Sequence, residues 1–245
     1  VMSDYHLRCE LRGHDEDVRG VLACDIGIAT SSRDKTAKIW SEESASSYSP
    51  TTTLVGHTDY VGPIVYVPPG LVEALPAGVL VTGSRDSSLK VWDTASGRCI
   101  ASCGGHAYQV TSAALLPDGG VVSASLDKTL KVWRLADGTC VDTLEGHEGP
   151  VLSVAVSPDG DIVSGSGDTT VRVWRGGKCA ATLRGHTDTV RALAVLPGLG
   201  FVSGSHDLTL RVWDMQGNTI AELLGHTAII FAVATLPGQN LIASG

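Results

Sequence analysis

Gly146 to Trp174 reads GHEGPVLSVAVSPDGDIVSGSGDTTVRVW, and the same wording can be laid over the rest of the chain again and again. Gly-His pairs stand at Gly13-His14, Gly56-His57, Gly105-His106, Gly146-His147, Gly185-His186 and Gly225-His226, with steps between histidines of 43, 49, 41, 39 and 40 residues. Inside each repeat an Asp is preceded four residues earlier by Ser or Thr and followed six residues later by Trp. The sets are Thr30/Asp34/Trp40, Thr82/Asp86/Trp92, Ser123/Asp127/Trp133, Ser164/Asp168/Trp174 and Ser203/Asp207/Trp213. These sets use all five tryptophans of the chain, so none is left for an aromatic ligand cage. Within the unit, VLSVAV, DIVSGS and TVRVW are short β-branched runs, and SPDG and SGD between them are turn chemistry. No stretch carries a helical period long enough to compete.

A fixed period near 40 with this opening and close resembles the WD-repeat family, in which each unit forms one four-stranded blade of a β-propeller. The expected fold is all-β: five complete units and part of a sixth in one domain spanning 1–245, with unit boundaries near 13–55, 56–104, 105–145, 146–184, 185–224 and 225–245. The sixth unit reaches LIASG with Ser244 in the hydroxyl position but without the Asp and Trp that follow elsewhere. Because blades bury their faces against both neighbours, the rest of a sixth blade and a seventh are expected beyond residue 245. HLRCEL, ahead of the first Gly-His, reads as an outermost strand. SEESASSYSP, residues 41–50, reads as a solvated loop on the rim. The second unit carries about eight extra residues within GLVEALPAGV, 70–79. Pro68, Pro69 and Pro76 keep it out of the sheet, and family topology has it protrude from the face opposite the Gly-His loops, as a partner contact or as plain loop variation.

Composition narrows the chemistry. With 43% hydrophobic residues the 245-residue chain has ample material for a core. Its formal net charge of -8 argues against nucleic-acid binding, which needs a basic stripe. No apolar run approaches the roughly 20 residues of a membrane span, and no signal peptide precedes the first repeat. Six cysteines, Cys9, Cys24, Cys99, Cys103, Cys140 and Cys179, include three that recur in phase at the start of successive outer strands. One per blade suits neither a disulfide nor a zinc site. They are expected to be reduced, small and buried, which fits a cytoplasmic and nuclear location.

The recurring Ser/Thr, His and Asp look superficially like a hydrolase triad. A triad occurs once, beside an oxyanion hole and a pocket; five copies with a Trp added read as a buried hydrogen-bond network of indole, hydroxyl, imidazole and carboxylate. Its members are His14, His57, His106, His147 and His186 with the sets given above. No catalytic, cofactor or metal residue is expected.

Recognition must then lie in what varies. The family resemblance implies that three positions per blade look out from the Gly-His face: the two flanking the recurring apolar residue after Gly-His, and the one before the recurring Asp. The flanking pairs are Asp17/Arg19, Tyr60/Gly62, Gln109/Thr111, Pro150/Leu152, Thr189/Arg191 and Ile229/Phe231, and the third position reads Arg33, Arg85, Leu126, Gly167 and His206. Four arginines and a histidine against one aspartate, with Tyr60, Leu126, Leu152, Ile229 and Phe231 among them, is the composition of a docking face. Arg19, Tyr60, Arg85, Arg191 and Phe231 are its strongest members.

The wording outside the repeat signature, in YHLRCELRGHDEDVRG, IATSSRDKTAKIW, GHTDYVGPIVYVPP and GHTDTVRALAVLPGLGFVSGSHD, resembles the N-terminal propeller of the phospholipase A-2-activating protein family. That resemblance implies a seven-bladed, non-enzymatic adaptor that binds ubiquitin or ubiquitylated cargo in AAA-ATPase-coupled degradation. Contact with the valosin-containing ATPase would be made through downstream domains absent from this chain. The alternative is a WD-repeat scaffold subunit of a large ciliary or cytoskeletal assembly.

Overall fold

The computed structural model describes residues 9–44, 47–236 and 241–245. Among them the strands form five four-stranded sheets and one two-stranded sheet, and each four-stranded sheet is laid down in chain order. Every connection within a sheet is therefore an antiparallel hairpin. In the fourth unit the strands are Val151–Val156, Ile162–Ser166, Val171–Arg175 and Lys178–Leu183, separated by the turns that SPDG and SGD foretell.

The first strands of successive units, Val18–Cys24, Val61–Val67, Val110–Leu115, Val151–Val156, Val190–Leu196 and Val233–Leu236, pack one against the next. Second strands are the most deeply buried: every residue of Val79–Ser84, Val121–Ser125, Ile162–Ser166 and Gly200–Ser205 is buried. Each tryptophan from the second unit on packs onto the blade before it. Trp92 joins Ala29, Ile39 and Leu54, Trp133 joins Val81, Leu89 and Val91, Trp174 joins Val122 and Leu130, and Trp213 joins Val163 and Val173. The indole thus couples two blades as well as filling one.

Trp40 departs from the equivalence that the five-fold repeat predicts. It is buried like the others, at 1% exposed, but among the described residues it joins none of the apolar clusters that link one blade to the next. The physical reason is its place in the row: an indole of this kind packs on the preceding blade, and no four-stranded sheet precedes the first unit among the described residues. Its ring edge does lie over its own unit's Gly13, as that of Trp92 lies over Gly56, a Cβ at either glycine meeting the ring at 3.2 Å.

Hydroxyls add a second set of links across blade boundaries. Ser31 Oγ donates to the Gly62 carbonyl at 2.6 Å, Thr111 Oγ1 to that of Val151 at 2.7 Å, and Thr235 Oγ1 to that of Val195 at 2.9 Å. Arg19 of the first unit and Arg191 of the fifth line a common cavity, which a straight stack of sheets would not allow. The row of blades therefore curves around a central channel bordered by the first strands.

Four further expectations change. The described part of SEESASSYSP is not a free loop: strands Thr36–Ser44 and Ser47–Val55 enter it, pairing Trp40 with Pro50, Ser41 with Ser49 and Glu42 with Tyr48, while 45–46 lie outside the described residues. An outermost strand tolerates Pro50 because one of its edges has no partner to lose. Cys9 to Arg12 lie in no strand, since a strand exists only through a neighbour to pair with; His6 to Arg8 lie outside the described residues. Of the cysteines only Cys103 is buried, while Cys99 and Cys179 are exposed and Cys9, Cys24 and Cys140 are intermediate. The in-phase positions lie at or near the start of the outermost strand in three units, while Cys103, near the end of the same strand as Cys99, is covered. The insertion between Val61–Val67 and Val79–Ser84 does not simply protrude. Val72 and Leu75 pack against the core shared with the third unit, and Val72 lies so near Gly119 that a Cβ there would sit 2.3 Å from it.

Candidate interaction face

Five hydrogen-bond networks fix the loops that carry this face. In each of the first five units the indole Nε1–H donates to the Ser or Thr hydroxyl at 2.8 Å, Trp40 to Thr30 included. That oxygen lies 2.7 or 2.8 Å from histidine Nε2, and Nδ1 lies 2.7 or 2.8 Å from the Asp carboxylate. Trp40 thus keeps its predicted place in the network and differs from the other four only in what its ring packs on. The indole can only donate, so the hydroxyl proton goes to Nε2 and Nδ1–H donates to the carboxylate; this assignment leaves no member unsatisfied. Burial opposes ionisation of the aspartates. The hydroxyl two residues on, the imidazole and backbone N–H groups more than offset it, holding Asp34 and Asp207 at about 2 and Asp86, Asp127 and Asp168 below the usual carboxylate range. Burial likewise pushes His57, His106 and His186 below the ordinary imidazole value, against the pull of their aspartates. Ser123, Ser164 and Ser203 have no exposed surface, so no substrate reaches the triad-like hydroxyls.

Sequence reasoning missed two further repeated groups, although both were visible in it. Ser32, Ser84, Ser125, Ser166 and Ser205, two residues before each Asp, donate to the carbonyl two residues after each His at 3.0 or 3.1 Å. Thr36, Ser88, Thr129, Thr170 and Thr209, two residues after it, donate to the carboxylate at 2.6 or 2.7 Å.

On this base the variable positions are displayed in a fixed way. The residue before each Asp donates its N–H to the first flanking position of the same unit: Arg33 to Asp17, Arg85 to Tyr60, Leu126 to Gln109, Gly167 to Pro150 and His206 to Thr189. The second flanking position falls on an irregularity in the first strand. Pairing skips Arg19, Gly62 with Pro63, Thr111, Leu152 and Arg191. A β-bulge leaves its extra residue out of the ladder and re-aims the side chain, and Arg19, Thr111, Leu152 and Arg191 accordingly line cavities at the channel mouth.

Arg19, Tyr60, Gln109 and Arg191 meet there around a cavity of about 250 Å³, which Gly62 and Thr111 also line. The guanidiniums of Arg19 and Arg85 lie 5.9 and 5.7 Å from the centre of the Tyr60 ring, in cation–π range. Burial and the charge of Arg19 lower the pKa of Arg191, with Tyr60 opposing. Leu152, Arg191 and Phe231 line an adjoining cavity of about 270 Å³. Arg33, Arg85, Leu126, His206 and Ile229 line neither. Arg33 is exposed beside Asp17, Leu126 is half-buried, Ile229 is 39% exposed, and His206 meets Phe231 edge to face at 6.0 Å. At the other end of the channel a cleft of about 450 Å³ is lined by Leu71, Leu116, Pro117 and Pro158 with no charged side chain. Among the described residues no cluster of His, Cys, Asp or Glu is arranged to hold a metal.

Four-stranded blades around a channel, each locked by the same Trp, Ser/Thr, His and Asp network and presenting variable side chains at one mouth, define a WD-repeat β-propeller. The WD domain, G-beta repeat family model matches residues 6–41, 48–93, 97–134, 138–175 and 177–214, and the chain belongs to that family. It is 33% identical over 115 residues to Phospholipase A-2-activating protein of Xenopus laevis, covering 45% of this chain and 14% of that protein. It is 35% identical over 104 residues to Nuclear distribution protein PAC1 of Arthroderma otae, covering 39% of this chain and 22% of that one. The match to Nuclear distribution protein nudF 1 of Talaromyces marneffei, at 31% over 108 residues, covers 41% and 21%. The chain thus spans less than a quarter of each of these relatives. None of these names is that of a catalyst, and the chain is a WD-repeat protein of the interaction class.

Proposed function

We propose that this chain is a non-enzymatic adaptor whose Gly-His face binds ubiquitin or ubiquitylated cargo, in protein degradation coupled to the valosin-containing AAA ATPase. One observation carries the reading: bulges and loop ends gather Arg19, Tyr60, Arg191, Leu152 and Phe231 at one mouth, with Arg85 over the Tyr60 ring, in a chain whose net charge is -8. Guanidinium and aromatic groups of this kind dominate protein interfaces. The choice of ubiquitin rests on the resemblance to the phospholipase A-2-activating proteins. Titrating isotope-labelled monoubiquitin with the full chain tests it by NMR. Shifts confined to ubiquitin's apolar patch, and lost with Arg19→Ala/Arg191→Ala, are expected. No shift at millimolar chain overturns the reading and favours the alternative of a WD-repeat scaffold subunit.

A further inference from the structure

The four arginines of this face fall into two kinds. Arg33 lies 3.5 Å from Asp17 and Arg85 lies 3.8 Å from Asp59. Arg19 and Arg191 line one cavity, and among the described residues neither has an acidic group within ion-pair distance, although Asp and Glu outnumber Lys and Arg by 26 to 18 in the chain. Two like charges facing one small cavity repel each other, and half-burial of Arg191 adds a desolvation cost. The fold does not demand arginine at these bulges, since Thr111 and Leu152 occupy the same place in the third and fourth units. The pair therefore lacks only an anion.

The shape of the surroundings says more about that anion. The cavity shares Arg191, Thr111 and Ser112 with the neighbouring one lined by Leu152 and Phe231, so the two form one groove with a cationic half and an apolar half. Phe231 is 59% exposed, and its ring is open to a ligand. Around the first two loops stand Asp15, Glu16, Asp17 and Asp59, all at least partly exposed. These carboxylates repel a polyanion such as a nucleic acid but leave room for one negative charge at the centre.

We infer that this groove takes a short partner segment in which one Asp or Glu side chain stands next to a large apolar one, the carboxylate entering between Arg19 and Arg191 and the apolar side chain resting on Leu152 and Phe231. The inference rests on the docking reading of this face, but not on the identity of the protein that docks. A guanidinium pair recognises a carboxylate through charge-assisted hydrogen bonds, and the apolar half supplies the selectivity that charge alone lacks.

The test uses a fluorescein-labelled peptide capped at both ends, with one Glu-Leu pair in a Gly/Ser frame, and follows anisotropy on addition of the full chain. Replacing Glu by Gln in the peptide is expected to weaken binding about tenfold or more, the scale of one charge-assisted contact, and replacing Leu by Ser to weaken it about threefold or more. Arg19→Gln/Arg191→Gln should erase the difference between the Glu and Gln peptides, whereas Arg33→Gln should leave it in place. Equal binding of the two peptides overturns the inference without touching the protein's fold, as does an equal loss with Arg33→Gln. Tighter binding of a phosphoserine peptide than of the Glu peptide overturns the carboxylate assignment. If ubiquitin shifts appear while the Glu and Gln peptides bind alike, the inference fails and the ubiquitin reading stands; the reverse pattern leaves the groove and removes ubiquitin as its partner.

Discussion

In five units the same four side chains meet with nearly the same spacings, hydroxyl to imidazole and imidazole to carboxylate both at 2.7 or 2.8 Å. A few ångströms along the chain, the bulge of each first strand holds Arg19, Gly62, Thr111, Leu152 or Arg191, with no two neighbours alike. The network is buried, fully satisfied and intolerant, because every donor in it has one acceptor and a change strands a partner in a dry site. The bulge residue is out of the ladder and at least partly exposed, and Arg19 and Arg191 have no acidic partner within ion-pair distance among the described residues. Repetition marks what holds the blades, and variation marks what the blades are for.

The largest expected effect is therefore on the repeated side. Trp133→Ala removes an indole that is 1% exposed, packs against the second unit and donates to Ser123 Oγ. A loss of about 3–5 kcal/mol in chemical denaturation is expected, the range for large aromatic truncations in cores. Leu152→Ala at the channel mouth should cost about 1 kcal/mol or less. Similar losses for the two would erase the distinction between network and mouth.

Acid sharpens the same comparison. His57, His106 and His186 have folded pKa values below their unfolded ones, and so do the five network aspartates. A depressed value means that the unfolded chain takes up protons first as the pH falls, so both kinds of group withdraw stability in the same direction. Full stability is expected above about pH 6.5, the ordinary histidine value. A first loss should follow below it, and a second should run from about pH 4 toward the value of about 2 held by Asp34 and Asp207. Denaturant midpoints between pH 8 and pH 3 check this, and a midpoint that rises as the pH drops below 6.5 would contradict the buried, neutral imidazoles.

The network was legible in the sequence because it depends on spacing alone: within one hairpin geometry, an Asp six residues before a Trp occupies the same place every time. Trp40 marks the limit of that logic, since spacing gives its hydrogen bond to Thr30 but not the neighbours of its ring, which depend on the blade before. The exposed face was legible only as positions. That Arg19 and Arg191 would share a cavity follows from the curvature of the blade row, and that they stand on bulges follows from how two strands pair; neither is a property of a local stretch. The cysteines misled because phase within a repeat fixes a place in the strand but not whether that place is covered. Cys99 and Cys179 sit at or near the start of an outermost strand and are exposed, whereas Cys103, four residues further along the same strand as Cys99, is buried.

The smallest expected effect concerns the turn that joins the two regions. Lys35, Ser87, Lys128, Thr169 and Leu208, each directly after a network Asp, all have φ between 68° and 73°, where an L side chain is strained and a β-branched one most of all. The Asp carboxylate holds the turn there by accepting the N–H of the next residue but one, as in Thr170 N–H to Asp168 at 2.9 Å. The strain is thus imposed by the network and borne by a side chain that belongs to neither the core nor the mouth. Asn tolerates this backbone region and loses less chain entropy than Gly on folding. Thr169→Asn is accordingly expected to raise stability by about 0.5 kcal/mol, or roughly 1–2 °C in the melting temperature of a chain this long. A fall instead would mean that Thr169 makes a contribution to the turn beyond its backbone, and that the line between repeated scaffold and variable surface runs one residue closer to the network.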